Sequence, residues 1–233
     1  MKIYYILILI YIVCSNILLA QTIPYPKKIA LTGAASNFRK TDKTPSPYYR
    51  HPDFYHIGNT PNRTILPHFK TYQQTTEYTC GPAALLMVAY YYGKTLNELK
   101  ISKIIGTNEK TGTSTKKMVK YLNKTGWKVR SSLTEPNIAT LKFLKKQIKI
   151  GHPIMVEWID WAGHWQVVIG YDDMGTHDNV SDDVLIMADP YDTTDHLQDG
   201  YTIVPAERFQ YMWFDHNLQP KNQRKRQWIL FYP

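Results

Sequence analysis

Residues Pro82 to Tyr91 read Pro-Ala-Ala-Leu-Leu-Met-Val-Ala-Tyr-Tyr, and a polar loop runs into them. Ala, Leu and Met favour helix, and Pro82 suits a first turn, where its missing N–H costs no hydrogen bond. Gly93 supplies the stop. A helix over Gly81–Tyr92 with this composition has apolar residues on nearly every side. Other layers must enclose it, so the chain needs a body of some size built around this one element.

Cys80 stands directly before that helix, in Gln74-Thr-Thr-Glu-Tyr-Thr-Cys80-Gly-Pro. The other cysteine, Cys14, sits in the apolar run Ile3–Leu19. Lys2 precedes the run and small Ala20 follows it before polar Gln21, the layout of a secretory signal peptide. Leu18 departs from the small residue preferred near a cleavage site, and a retained membrane anchor is the alternative. Val13 is a poor residue before a lipidated cysteine, which disfavours lipid anchoring at Cys14. The expected location is periplasmic, secreted or cell-surface, or membrane-anchored if residues 1–20 stay. An exported chain has no redox reason to keep an unpaired thiol, so a lone Cys80 at a helix start is a candidate for chemistry.

Removing residues 1–20 leaves 213 of 233 residues, which fits one domain with a sizeable core. It takes away one Lys and no acidic residue, so the formal charge goes from +9 to +8. A basic surface suits anionic surroundings such as a cell wall or membrane surface. No ordered Arg/Lys stripe, zinc-finger spacing or RNA-binding aromatic motif accompanies the charge, so nucleic acid is not the expected partner. After residue 20 no stretch is long and apolar enough to span a membrane.

Residues 21–64 are rich in Pro, Tyr, Asn, Thr and His and lack periodicity; they read as an N-terminal arm on a domain over 65–233. Helices are expected over Thr115–Asn123 and after a cap at Asn137, where Leu141, Leu144 and Ile148 share a face. Trp127–Arg130 begins a strand or an extended link. Beyond Gly151 the pattern turns to short β-branched strands at Pro153–Trp158, His164–Gly170 and Val184–Ala188. Arg208–Phe214 is expected to pack on the domain. Basic, then aromatic, Lys221–Pro233 reads as a closing edge strand or a surface-binding tail. Helices first and an antiparallel sheet second is the α+β class.

A thiol attacks a carbonyl as thiolate, which a helix N-terminus and an imidazolium both favour. Among eight histidines, His164 alone opens an apolar strand after a glycine. A strand Val184–Ala188 folding back on it brings Asp189 beside it, where a carboxylate can fix the imidazole tautomer. Asp172 and Asp173 are rivals at the far end of the strand. Gln74, or its neighbour Gln73, can point an amide at the oxyanion that the Cys80 N–H also faces. Trp158, Trp161 and Trp165 are candidate rim residues for a substrate platform, or else core. A zinc site of Cys80, His164 and His152 has no short ligand spacing to recommend it.

Taken together, Gln74-x5-Cys80-Gly-Pro-Ala-Ala-Leu with Tyr91-Tyr-Gly93, Gly112-Thr-Ser114, Gly151-His-Pro-Ile-Met-Val156, His164-Trp-Gln-Val-Val-Ile-Gly170 and Asp189-Pro190 resemble the C39-type branch of the papain-like cysteine peptidases, as in the double-glycine leader peptidases. The resemblance covers roughly residues 65–206. It implies a papain-like fold, a helical part packed on a C-terminal antiparallel sheet. By its pattern Gln74 is the oxyanion donor, Cys80 the nucleophile, His164 the base and Asp189 its orienter, with no cofactor. Thr79 stands where the family often has Asp, and the 171–183 loop is long. Nothing resembling a transporter membrane domain or ATPase follows, which points to a stand-alone exported member. Thiol-dependent hydrolysis of a peptide or protein is the expected activity. Other acyl transfer (transpeptidation, deamidation, cell-wall peptide cleavage) and an inactive binding module are the rivals. Specificity and oligomeric state do not follow from these residues.

Overall fold

A computed structural model describes residues 21–40, 48, 52–193, 197–214 and 226–233. Residues 1–20, which carry the expected signal peptide and Cys14, lie outside the described residues, as do residues 221–225 of the basic run. Among the described residues no helix is long and apolar enough to cross a membrane.

The enclosed helix is α2, Cys80–Tyr91, after a short α1 at Gly33–Lys40. Every residue from Cys80 to Ala89 is buried, so the apolar run is covered on all sides. Three more helices follow: α3 (Glu98–Ile105), α4 (Thr115–Lys124) and α5 (Leu141–Lys149). On α5 the buried Leu141, Leu144 and Ile148 share the expected face. Its cap is Thr140, whose hydroxyl accepts the Phe143 N–H at 3.1 Å, and this corrects the expectation of a cap at Asn137. Helix α3 was not anticipated. Its signals were present in Asn97, which accepts the Lys100 N–H at 2.9 Å, and in left-handed Gly106.

One antiparallel sheet forms the other layer, from β1 (Arg63–Ile65), β2 (Lys128–Ser131), β3 (Ile154–Trp158), β4 (His164–Asp172), β5 (Val184–Ala188), β6 (Tyr201–Pro205) and β7 (Gln227–Tyr232). The order is β2-β7-β3-β4-β5-β6, and β1 pairs with the far end of β4 at Ile65↔Gly170. Strand β4 is buried from His164 through Tyr171 and packs against α2 and α5. This contact joins the helical layer to the sheet. Helix α6, Ala206–Met212, lies against β6 and buries Ala206 and Phe209.

Two expectations shift. The aromatic C-terminal stretch is neither an edge strand nor a surface tail: β7 lies between β2 and β3, with Trp228, Ile229, Leu230 and Phe231 wholly buried. The arm boundary at residue 64 falls inside β1, and Thr22 already bridges Thr71.

Candidate active site

Three features bring the chemistry together. Thr79 leads into α2, so Cys80 is its first residue, and a first-turn N–H has no acceptor within its own helix. The β3–β4 connection, a 3-10 turn at Asp160–Ala162, places Trp161, Ala162 and Gly163 at positive φ and delivers His164 at the start of β4. The β4–β5 pairing Val167↔Ala188 then sets Asp189 one residue beyond, level with Gln166 and beside His164.

His164 Nε2 lies 2.7 Å from Asp189 Oδ1, both side chains buried. With Nε2 given to the carboxylate, Nδ1 remains for another partner, and Cys80 lines the same cleft as His164. Burial pushes the imidazole pKa down. The Asp189 charge, its hydrogen bond and the Cys80 partner outweigh that, so His164 is held well above its ordinary value. The nearby Asp160 carboxyl is raised by burial, a rise that the His164 charge partly offsets.

Asp189 is itself held in place. Its Oδ1 also accepts the Tyr191 N–H at 2.8 Å, and Oδ2 accepts Gln166 Nε2 at 2.6 Å. Gln166 Oε1 in turn accepts Trp158 Nε1 at 2.7 Å. Sequence reasoning missed Gln166. Strand alternation was the available signal, since Gln166 follows His164 by two and shares its face. The rivals for Asp189 are placed elsewhere: Asp173 binds Lys145 at 2.7 Å, and Asp172 lies near Arg63.

Gln74, Cys80 and His164 line one cleft of about 300 Å³, rimmed by Glu77, Glu109, Trp161 and Tyr191. Gln74 is buried; its Nε2 donates to Thr76 O at 2.8 Å, and its second amide hydrogen is free of that bond. Gln73 is committed elsewhere, Nε2 to Asp189 O at 2.7 Å and Oε1 to the Asp192 N–H at 3.0 Å. Of the two glutamines, only Gln74 reaches the cleft. The three expected rim tryptophans reduce to one. Trp165 is core, its Nε1 donating to Thr113 O at 3.1 Å, and Trp158 is buried against Phe209, because both lie in strands covered on either side. Trp161, in the turn, is 63% exposed and faces Tyr191 with ring centroids 5.5 Å apart.

His152 stacks on Tyr232, away from the cleft, and among the described residues no cluster of His, Cys, Asp and Glu is arranged to hold a metal. A larger hollow of about 620 Å³ lies between residues 23–26 and α3 and contains no nucleophile beside a base.

No curated protein matches the chain. Among solved structures, the peptidase domain of Streptococcus ComA, a bi-functional ABC transporter involved in a quorum-sensing pathway, is 24% identical (TM-score 0.48; 71% of this chain and 97% of that one). A double glycine motif protease from an AMS/PCAT transporter, solved with its leader peptide, is 17% identical (TM-score 0.47; 75% and 96%). A protein described as a C39-like peptidase, from Bacillus anthracis, is 17% identical (TM-score 0.51; 73% and 98%) and shares the fold. The Peptidase_C39 like family model matches residues 67–217, most of the described domain, and the chain belongs to that family.

Proposed function

We propose that this chain is a cysteine peptidase in which Cys80, His164, Asp189 and Gln74 act as one unit on a peptide or protein. The observation that supports the reading is the buried His164–Asp189 pair, with Nε2 2.7 Å from the carboxylate, on the same cleft that Cys80 and Gln74 line.

In the first half-reaction Cys80 Sγ, its proton passed to His164, attacks the peptide carbonyl carbon. The negative charge moves to the carbonyl oxygen, where the Cys80 N–H and Gln74 Nε2 receive it. Collapse breaks the C–N bond as His164 gives its proton to the departing amine, leaving a thioester on Cys80. A water then enters, loses a proton to His164 and attacks the thioester carbon. The C–S bond breaks, the acid product leaves, and the proton returns to sulfur. The steps balance with these side chains and water alone. Asp189 takes up no proton in these steps and steadies the imidazolium.

The test is incubation with a peptide library followed by intact-mass analysis. An active chain shows cleaved peptides and a transient acyl adduct on Cys80, and Cys80→Ala abolishes both. A library left uncut by the wild type, with no adduct, contradicts the reading. We also propose export through residues 1–20, which N-terminal sequencing of the mature protein checks: a chain beginning at Gln21 supports it, and one beginning at Met1 opposes it.

A further inference from the structure

The segment that carries Gln74 into the cleft, residues 71–76, has no helix or regular strand of its own. Buried backbone groups outside a ladder still need partners. Along this segment the carbonyls find theirs in the N-terminal arm. Ile23 N donates to Thr71 O at 2.8 Å, Tyr25 Oη to Gln73 O at 2.9 Å, and Ala35 N to Gln74 O at 2.9 Å. Thr32 Oγ1 donates to Thr75 O. In return the Thr71 N–H donates to Gln21 O at 3.0 Å. At Gly33, where φ is +53°, a Cβ would stand 2.7 Å from the Thr76 carbonyl carbon, so only glycine lets the arm come this close.

The other edge of the segment is held by the domain. Gln74 N donates to Pro190 O at 2.8 Å, and Thr75 N donates to Glu98 Oε1 at 2.9 Å. The oxyanion loop is therefore gripped from two sides, the Gln74 and Thr75 N–H groups by the body and the Thr71, Gln73, Gln74 and Thr75 carbonyls by the arm. The arm residues that do this, 21–35, precede the region matched by the family, which starts at residue 67.

We propose that residues 21–36 are a built-in strap that positions Gln74, so that the oxyanion hole is complete only while the arm is docked. The strap touches no reacting atom: Tyr25, Thr32 and Gly33 are positioning residues. The proposal rests on the peptidase reading above. It makes a specific demand, because among the described residues Cys80, His164 and Asp189 take no hydrogen bond from the arm. Loosening the strap should weaken stabilisation of the oxyanion and leave the reactivity of the thiol unchanged.

Two assays on the full chain separate these. Peptide hydrolysis needs the oxyanion hole, whereas alkylation of Cys80 by iodoacetamide displaces iodide at a saturated carbon and develops no oxyanion. The double variant Tyr25→Phe/Thr32→Val removes two strap donors, and Gly33→Ala pushes the arm off Thr76. Each is expected to lower kcat roughly tenfold, short of the ~10²–10³ that follows outright loss of an oxyanion donor. Alkylation should stay within about twofold, since each strap substitution lies outside the thiol–imidazole pair. Introduced into Gln74→Ala, the strap changes should cost little more, because the group they position is gone. The proposal is overturned if kcat is unchanged, if alkylation falls in step with kcat, or if the losses multiply fully with Gln74→Ala. A wild type that cuts no peptide refutes the peptidase reading itself, and the strap proposal with it.

Discussion

Thr79, the residue before Cys80, donates its hydroxyl to the buried carboxylate of Glu98, nineteen residues away on α3. The same carboxylate accepts the Thr75 N–H at 2.9 Å, the Thr75 hydroxyl at 2.7 Å and the Tyr72 hydroxyl at 3.1 Å. Burial raises the Glu98 pKa, and these hydrogen bonds pull it partly back. Glu98 thus ties the loop that carries Gln74 to the entry of α2 through Thr79.

Glu98→Gln is expected to destabilise the fold by about 1–3 kcal/mol, because an amide cannot accept on both sides and leaves a buried donor unpaired. A folded-state pKa above the unfolded one means the native state binds the proton more readily. This group's contribution therefore grows as pH falls, and the substitution should remove that part of the pH dependence. Urea melts of both proteins from neutral to acidic pH check it.

Thr79→Asp, which restores the commoner family residue, should be worse than neutral in this chain. It sets a second carboxylate against Glu98 in a buried site, where two like charges do not both ionise. We expect lost stability at neutral pH that is partly recovered on acidification, and recovery at neutral pH when Glu98→Gln is added. Thermal melts of the single and double variants measure this. A single variant as stable as wild type would count against the Glu98 account.

Asp189→Asn should lower kcat about 10²-fold or more by disturbing the acid–base partner. The raised His164 pKa also fixes the sign of a pH effect. Stabilisation from the pair is fully present below the unfolded histidine value, about 6.5, and is lost as pH rises through the higher folded value. The melting difference between wild type and Asp189→Asn should therefore be largest below about pH 6.5 and shrink in alkali. The alkaline limb of kcat should move to lower pH in the variant.

The tryptophans give a paired test. Trp165→Ala removes a wholly buried ring and is expected to cost about 3–5 kcal/mol. Trp161→Ala removes an exposed ring on the cleft rim and should change stability by no more than about 0.5 kcal/mol while raising KM. Equal effects on KM from both would contradict the assignment of Trp161 as the rim residue.

Which parts were legible follows from the range of the interactions. Cys80 could be read because the switch from polar loop to apolar helix is local. His164 and Asp189 could be placed together because a β-hairpin relates residues by simple counting. Glu98 could not be found that way: an acidic residue in a first helical turn looks like ordinary dipole matching, and its partners are loop donors without periodicity. The same holds for the arm, whose bonds go to backbone carbonyls and leave no residue pattern. The C-terminal stretch misled because Arg224, Lys225 and Arg226 suggested a surface, whereas the aromatic-rich stretch that follows, Gln227–Tyr232, forms an inner strand of the sheet.

The most direct test of the central claim is the rate of Cys80 alkylation by iodoacetamide against pH, for the wild type and His164→Ala. The account predicts labelling at pH 6–7 faster than that of free cysteine, reduced about tenfold or more in His164→Ala, because removing the imidazolium removes the thiolate's partner. Labelling that follows a free thiol, with a midpoint near about 8.5 and no response to His164→Ala, would contradict it.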